Sequence, residues 1–178
     1  MEEMKGIANG NIDGTDIRNF MAYRGAIVAK EFRSIGSCQC EFHTSMDIET
    51  IILTIVKGER REIKFGVKVL HKFDNGRDEV SVCLDFDEIE ELIQALHFIA
   101  KTAAEIISTE RDYTEVVYAT KDNATFGFYQ DANKQTAFFC LSPRKTGFLS
   151  FDTLGEVSKI LHAARTHLVN HGAQVSYK

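Results

Sequence analysis

The stretch CLDFDEIEELIQALHFIA at residues 83–100 recurs in altered form as FLSFDTLGEVSKILHAAR at residues 148–165. The two stretches align at a constant offset over their whole length. Within each stretch, apolar residues recur every three or four positions, a spacing that predicts a helix with one buried face. We therefore expect two related helices, at residues 86–108 and 152–170.

Both predicted helices begin with a capping signal. Asp85 precedes Glu88 by three residues in the first copy, and Thr153 precedes Glu156 by three in the second. At this spacing the side chain of the cap residue and the glutamate can each accept a hydrogen bond from a free amide of the first turn. We expect a capping box at the start of each helix.

The segments before the helices have the features of strands. In IKFGVKV at residues 63–69 apolar and polar side chains alternate, and a related segment, ATFGFYQ, occupies residues 124–130. Turn-forming sequences lie at KGER (57–60), DNGR (74–77), KDNA (121–124) and DANK (131–134). The predicted strands are 38–45, 50–57, 61–72 and 78–84 in the first copy, and 113–120, 124–130, 135–141 and 146–150 in the second. AIVAKEF, from Ala26, is a candidate for a further strand.

The spacing of the Phe-Gly pairs suggests where the copies differ in length. Phe65-Gly66 and Phe126-Gly127 are separated by four fewer residues than the two helices are. If the pairs are equivalent, the second copy holds four extra residues before its helix. The loop SPRKTG at residues 142–147 would accommodate them.

These elements predict an α+β fold of two tandem ββββα repeats with pseudo-two-fold symmetry. One four-stranded sheet with one helix cannot cover both of its apolar surfaces, so a second copy completes a shared core. We assign residues 1–25 to a loose N-terminal arm with one helical turn, 26–110 to the first repeat and 111–178 to the second. The two repeats are expected to form one compact unit.

The tandem ββββα arrangement resembles that of Whirly-type and Pur-type single-stranded nucleic-acid-binding proteins over roughly residues 38–170. The resemblance is topological and implies binding of single-stranded nucleic acid. No segment matches the lysine-rich KGKAAL motif of Whirly proteins, so no functional residue of that family is carried over. The segment YTEVVYATKDNATFGFYQ at residues 113–130 also resembles uncharacterised bacterial proteins, a likeness that implies no activity.

Composition and charge limit the class of protein. The net charge of −5 argues against a strongly basic nucleic-acid binder, although residues 111–178 alone carry +2. Apolar runs are too short to span a bilayer, and MEEMKGIANG at residues 1–10 lacks the apolar core of a secretory signal. We therefore expect a cytoplasmic protein without a membrane partner. Its four cysteines, expected to be reduced, are Cys38, Cys40, Cys83 and Cys140.

The candidate nucleic-acid site combines basic and aromatic side chains. Lys64, Lys68 and Lys72, the lysine row, share one face of a predicted strand, where the first two lie about 13 Å apart and suit the spacing of an extended phosphate backbone. The other candidate residues are Lys57 and Arg60 in the preceding turn, and Tyr118 and Tyr129, with Phe128, as stacking partners in the second copy. The alternative is that the lysines only keep the sheet soluble and the aromatic side chains build the core.

Two further clusters suggest metal binding but have simpler explanations. Cys38 and Cys40 with His43 lack a fourth ligand at a recognised spacing, and buried free thiols are common. His167 and His171 are four residues apart on a predicted helix, but histidines near a helix C-terminus are also favoured by the dipole. We expect no metal and no cofactor.

No catalytic sequence motif is present: the chain lacks GxSxG, GxxxxGK[ST] and a GxGxxG that follows a strand. We expect a non-catalytic binding module. The first hypothesis for its ligand is single-stranded nucleic acid. The second is a protein partner, including self-association into a homo-oligomer through a strand edge or the helices.

Overall fold

The structure, a computed structural model, describes residues 15–73, 76–143 and 145–174 and confirms the predicted tandem ββββα fold. The elements in chain order are α1 (Asp16–Met21), β1 (Ile27–Gln39), β2 (Ser45–Lys57), β3 (Arg60–Phe73), β4 (Asp78–Asp85), α2 (Phe86–Ile106), β5 (Arg111–Ala119), β6 (Thr125–Ala132), β7 (Lys134–Ser142), β8 (Lys145–Leu149) and α3 (Phe151–Asn170). Strands β1–β4 form the first antiparallel sheet and β5–β8 the second, each in sequence order. Each sheet has an inner face, which lines the core, and an outer face.

The first strand differs from its prediction. Residues 38–45 do not form one strand, because β1 ends at Gln39 and β2 begins at Ser45; β1 begins at Ile27, so all of the segment AIVAKEF except Ala26 belongs to the first strand itself. After β1 the chain makes a short 3₁₀ turn in which Phe42 and His43 both have positive φ, at 57° and 59°. This left-handed backbone breaks the extended conformation and returns the chain into β2.

The predicted insertion in the second copy is also wrong. Phe65-Gly66 lies in β3, the third strand of its sheet, whereas Phe126-Gly127 lies in β6, the second strand of its own. The two pairs are therefore not equivalent. The strands of the second sheet are in fact shorter, at 9, 8, 9 and 5 residues against 13, 13, 14 and 8 in the first.

Each helix packs across both repeats. The first-repeat helix α2 contacts β5 and β6 of the second sheet as well as β3 and β4, while α3 contacts β1, β2 and β3 of the first sheet. Leu96 of α2 and Leu161 of α3, which are equivalent in the repeat, are both almost fully buried in one core. His97 joins the helices through a 2.9 Å hydrogen bond between its Nε2 and Ser158 Oγ. Each repeat therefore covers apolar surface of the other repeat.

The helix starts follow the predicted chemistry with one shift. In α2 the Glu88 carboxylate accepts a 2.9 Å hydrogen bond from the Asp85 amide, as a capping box requires. In α3 the cap is Ser150, whose Oγ accepts from the Thr153 amide at 3.1 Å, so Thr153 is not the cap residue. Serine and threonine are both good caps, and the helix begins at the earlier of the two.

Helix α1 covers part of the outer face of the first sheet. Ile17 is 1% exposed and packs in a cluster with Ile51, Leu53 and Cys83. The Asp85 carboxylate accepts hydrogen bonds from the Asp16 and Ile17 amides at 3.0 and 2.9 Å, which holds the helix in place. The rest of the predicted arm, residues 1–14, lies outside the described residues, as do Asp74 and Asn75 of the predicted DNGR turn and Arg144 of the SPRKTG loop.

His71 lies where the two sheets meet. Its ring is completely buried, 3.9 Å from the ring of Phe73 and 4.6 Å from that of Phe139 of the second sheet. Both ring nitrogens lack a hydrogen-bond partner among the described residues. Burial, and then the nearby charge of Lys145, lower the pKa of His71 to about 4. This histidine is therefore neutral at pH 7.

Candidate functional site

The lysine row lies on the outer face of the first sheet, among carboxylates. Lys72 forms an ion pair with Asp47, and this hydrogen bond raises the pKa of Lys72. Lys64 Nζ lies 3.2 Å from a carboxylate oxygen of Glu62. Lys68 is paired in the sheet register with Glu49 on one side. The positive charges alternate with negative ones along the face, which weakens the field available to a phosphate backbone.

The two basic residues of the β2–β3 turn also lie near the lysine row. Lys57 Nζ is 5.9 Å from the ring centre of Tyr23, and Lys64 Nζ is 4.7 Å from that of Phe20 in α1. Arg60 is exposed at the start of β3. The region around α1 therefore engages two of the candidate cations in cation–π contacts.

The predicted stacking residues lie on the second sheet, and not on one face of it. Tyr129 is on the outer face, while Tyr118 is on the inner side, packed against the core. Phe128 is completely buried and cannot stack on a base. The structure therefore does not bring the aromatic candidates together with the lysine row, because the two sets lie on different sheets.

A row of aromatic side chains crosses the outer face of the second sheet, and the sequence analysis recognised only one of them. The rings of Tyr113 and Tyr129 are stacked with centres 6.2 Å apart, and the ring of Phe138 lies 6.1 Å from that of Tyr129. Phe138 is in turn paired in register with Phe148. These four residues, the aromatic row, alternate with the buried side chains of their strands, and that alternation was the available signal.

A second surface feature is an apolar groove between α2 and β5, with a cavity volume of about 410 Å³. This α2–β5 groove is lined by Gln94, Ala95, Phe98, Ile99, Val116, Val117 and Tyr118. Phe98 on α2 is 63% exposed, and Val117, on the outer face of β5, is 45% exposed. The exposed ring of Phe98 makes this groove a candidate interaction site.

The groove runs along a free strand edge. Among the strands that the structure describes, β5 pairs only with β6 and so forms one border of the second sheet. In an edge strand of an antiparallel sheet, alternate peptide groups point away from the neighbouring strand. The groove thus offers apolar contacts and unpaired backbone donors and acceptors in the same place.

The corresponding helix–strand pair, α3 and β1, holds a polar pocket of about 160 Å³, one helical turn further along its helix than the α2–β5 groove. This α3–β1 pocket is lined by Glu31, Phe32, Arg33, Thr50, Ile52, His167 and His171. The ring nitrogens of His167 lie 3.2 Å from Thr50 Oγ1 and 3.4 Å from a guanidinium nitrogen of Arg33. His171 Nδ1 lies 2.8 Å from the carbonyl oxygen of His167, so this side chain caps the last turn of α3. His167 faces the sheet instead.

The cysteines and the remaining histidines give no metal cluster. Cys38 and Cys40 are buried, whereas His43 is exposed on the 3₁₀ turn. All four cysteines are free thiols. Within residues 15–73, 76–143 and 145–174, no group of three or more His, Cys, Asp or Glu side chains is arranged to hold a metal ion.

Comparison of the chain with protein-family models, with curated proteins and with solved structures finds no match. The topological resemblance to Whirly-type and Pur-type proteins therefore stays a prediction. In the part of the chain that the structure describes, no helix has both the length and the apolar character needed to cross a membrane.

Proposed function

We propose that this protein is a non-catalytic interaction module that binds an extended apolar protein segment in the α2–β5 groove. The observation that carries this proposal is the coincidence of a 410 Å³ apolar groove with the free edge of β5. A segment that pairs with an edge strand gains main-chain hydrogen bonds, and its alternate side chains enter neighbouring pockets. Both requirements are met along β5.

The orientation of the β5 side chains indicates which kind of segment would fit the groove. Val116 and Tyr118 present their side chains on the α2 side of β5, while Val117 presents its side chain on the opposite face. A strand added to β5 would direct every second residue toward Phe98 and the α2 surface. We expect a ligand of five or so residues, by the usual length of strands, with apolar side chains at alternate positions. A second copy of the chain is one source of such a segment.

The test compares two matched substitutions. Phe98→Asp places a charge in the α2–β5 groove, and Phe32→Asp makes the same change at a residue that is 49% exposed beside the α3–β1 pocket. Extended peptides selected from a displayed library on the wild-type protein are then measured against both variants. Because central aromatic contacts commonly contribute about 2 kcal/mol or more, we expect Phe98→Asp to weaken binding by about 30-fold or more.

Phe32→Asp serves as the control, and a measurement of molar mass identifies the source of the bound segment. Phe32→Asp should bind the selected peptides as the wild-type protein does. Equal loss in both variants, or equal binding by both, would contradict the assignment of the groove. Molar mass across a concentration series shows whether the segment comes from a second copy: a dimer of the wild-type chain that Phe98→Asp dissociates would identify self-association.

The aromatic row supports a second candidate function, the binding of single-stranded nucleic acid. On one face, the ring centre of Tyr129 lies 6.2 Å from that of Tyr113 and 6.1 Å from that of Phe138, and exposed aromatic side chains on a sheet can stack with bases. Glu115 and Asp131 lie on the same face, so we expect weak binding with a shallow dependence on salt.

Fluorescence anisotropy of a labelled single-stranded oligonucleotide, at low and near-physiological salt, tests this second candidate. The aromatic row predicts that Tyr129→Ala abolishes binding while the triple variant Lys64→Glu, Lys68→Glu, Lys72→Glu retains it. Loss of binding in the triple variant alone would instead locate the nucleic acid on the first sheet. If the oligonucleotide does not bind the wild-type protein at low salt, the second candidate is wrong.

A further inference from the structure

The α3–β1 pocket holds a cationic side chain that no carboxylate neutralises. Among the described residues, Arg33 makes no ion pair with a carboxylate within 4.0 Å, although Glu31 lines the same pocket. Its guanidinium group instead contacts Nε2 of His167. An arginine whose charge is not paired, at the wall of a pocket, is a typical element of an anion-binding site.

The hydrogen bonds fix how His167 is protonated. A guanidinium group can only donate, so Nε2 of His167 accepts from Arg33 and the proton of the neutral ring lies on Nδ1. Nδ1 can then donate to Thr50 Oγ1, which is buried. In His171, Nδ1 donates to the carbonyl oxygen of His167, so Nε2 is the nitrogen that can gain a proton. The pocket can therefore take up protons when a negative charge enters.

The electrostatics of the pocket agree with this geometry. Burial first, and then the neighbouring charges of His171 and Arg33, lower the pKa of His167. The charged or titratable groups that line the pocket are these three and Glu31, since β2 contributes only Thr50 and Ile52. An anion beside Arg33 would favour the protonated form of His167. It would thus oppose the lowering of the pKa of His167 by His171 and Arg33.

We propose that the α3–β1 pocket binds a phosphate group, with Arg33 and, once protonated at Nε2, His167 and His171 as donors and Glu31 as acceptor of the phosphate O–H. The pocket volume of about 160 Å³ suits one small oxyanion. Inorganic phosphate carries at least one proton between pH 5 and 8, and a phosphate monoester carries one below its second pKa of about 6, so the Glu31 carboxylate can accept a hydrogen bond from that O–H. Sulfate carries no such proton, and Glu31 would repel it. This site is independent of the α2–β5 groove.

The test follows the histidine ring signals by NMR between pH 5 and 8 in inorganic phosphate, methyl phosphate, sulfate or chloride at equal ionic strength. Phosphate should raise the pKa of His167 by about one unit relative to chloride, the low end of the effect of a nearby opposite charge. Sulfate should raise it less. Equal effects of inorganic and methyl phosphate would show that a phosphate monoester is accepted, whereas an effect of inorganic phosphate alone would identify the free ion as ligand.

Variants separate the pocket from general charge effects. Arg33→Gln should remove the response of His167 to phosphate, while Arg60→Gln, the same change at an exposed arginine outside the pocket, should preserve it. Glu31→Gln should make sulfate as effective as phosphate. The proposal is wrong if phosphate and chloride give the same pKa for His167, or if Arg33→Gln still responds; sulfate matching phosphate in the wild-type protein would exclude the role of Glu31.

Discussion

The two helix–strand contacts that cross between the repeats carry surface pockets of opposite chemistry. In both, a helix from one repeat packs against the first strand of the other repeat's sheet: α2 against β5, and α3 against β1. The α2–β5 groove is apolar and has a volume of about 410 Å³, whereas the α3–β1 pocket is polar and measures about 160 Å³. The same backbone arrangement thus carries an apolar groove at one end and a basic pocket at the other.

A few side chains account for the difference. At the offset that aligns the helices, Phe98 corresponds to Ala163 and His167 corresponds to Thr102, so the two pockets lie one helical turn apart along their helices. All of these positions lie on the helix surface beside a strand, outside the residues that pack the core. The two copies thus share a common core, while the surface positions of their helices differ in chemistry.

The largest expected effect tests whether the two repeats share one core. Leu96→Ala and Leu161→Ala remove equivalent side chains that are 1% and 0% exposed. Each should lower the free energy of unfolding by about 2 to 5 kcal/mol, the usual cost of a buried Leu→Ala change. In denaturant unfolding, both variants should keep a single transition. Two transitions, with only one shifted by each variant, would show that the repeats fold separately.

The second prediction concerns His71 at the contact between the sheets. Its pKa is about 4 in the folded protein, below the ordinary value of 6.5, so the unfolded chain binds a proton more tightly. Stability should therefore be fully present above pH 6.5 and fall by up to about 3 kcal/mol as the pH is lowered toward 4. Urea unfolding of the wild-type protein and of His71→Leu across this range checks it. Identical pH slopes would contradict the assignment.

A smaller effect is expected where α1 covers only the first sheet. A Cβ atom on Gly66 would lie 2.5 Å from the carbonyl oxygen of Leu84 and 2.6 Å from Ile17 Cγ1. Gly66→Ala should displace α1 and cost about 1 to 3 kcal/mol, as overpacking does. Gly155→Ala in α3, where a Cβ atom has open space, should instead stabilise the protein by about 0.5 to 1 kcal/mol. If the two substitutions have the same sign in thermal unfolding, the packing of α1 on Gly66 is wrong.

The smallest expected effects separate binding from folding. Phe98 and Phe32 are both substantially exposed, so Phe98→Asp and Phe32→Asp should each change the free energy of unfolding by about 1 kcal/mol or less. Denaturant unfolding checks this directly. A large loss of stability in Phe98→Asp would show that this side chain supports the core, and any loss of peptide binding would then have a simpler cause.

The fold could be predicted where the determining signals are local. Helix α2 was expected at residues 86–108 and ends at Ile106, because periodicity and capping depend on neighbouring residues. Strand β1 was misplaced because most of its residues are exposed on both faces and no alternation marks it. The positive φ of Phe42 was also unpredictable, since a bulky residue gives no sign of that conformation.

The candidate sites depend on long-range packing, which local patterns do not report. Phe98 and Val117 line one groove only because α2 crosses from its own repeat onto the second sheet. Arg33 contacts His167 because α3 crosses from the second repeat onto β1 of the first sheet. The lysine row was correctly placed on one face of a strand, yet the sequence did not indicate that Asp47 and Glu62 would neutralise two of its members.

The most direct test of the proposed function is amide hydrogen exchange of the wild-type protein with and without a peptide selected for binding. If the peptide pairs with β5, the outward-facing amides among residues 111–119 should become protected, since exchange slows when a free amide gains a hydrogen bond. The amides of β1 should not change. Protection confined to β1, or to β6, β7 and β8, or absent at saturating peptide, would contradict the assignment of the α2–β5 groove as the binding site.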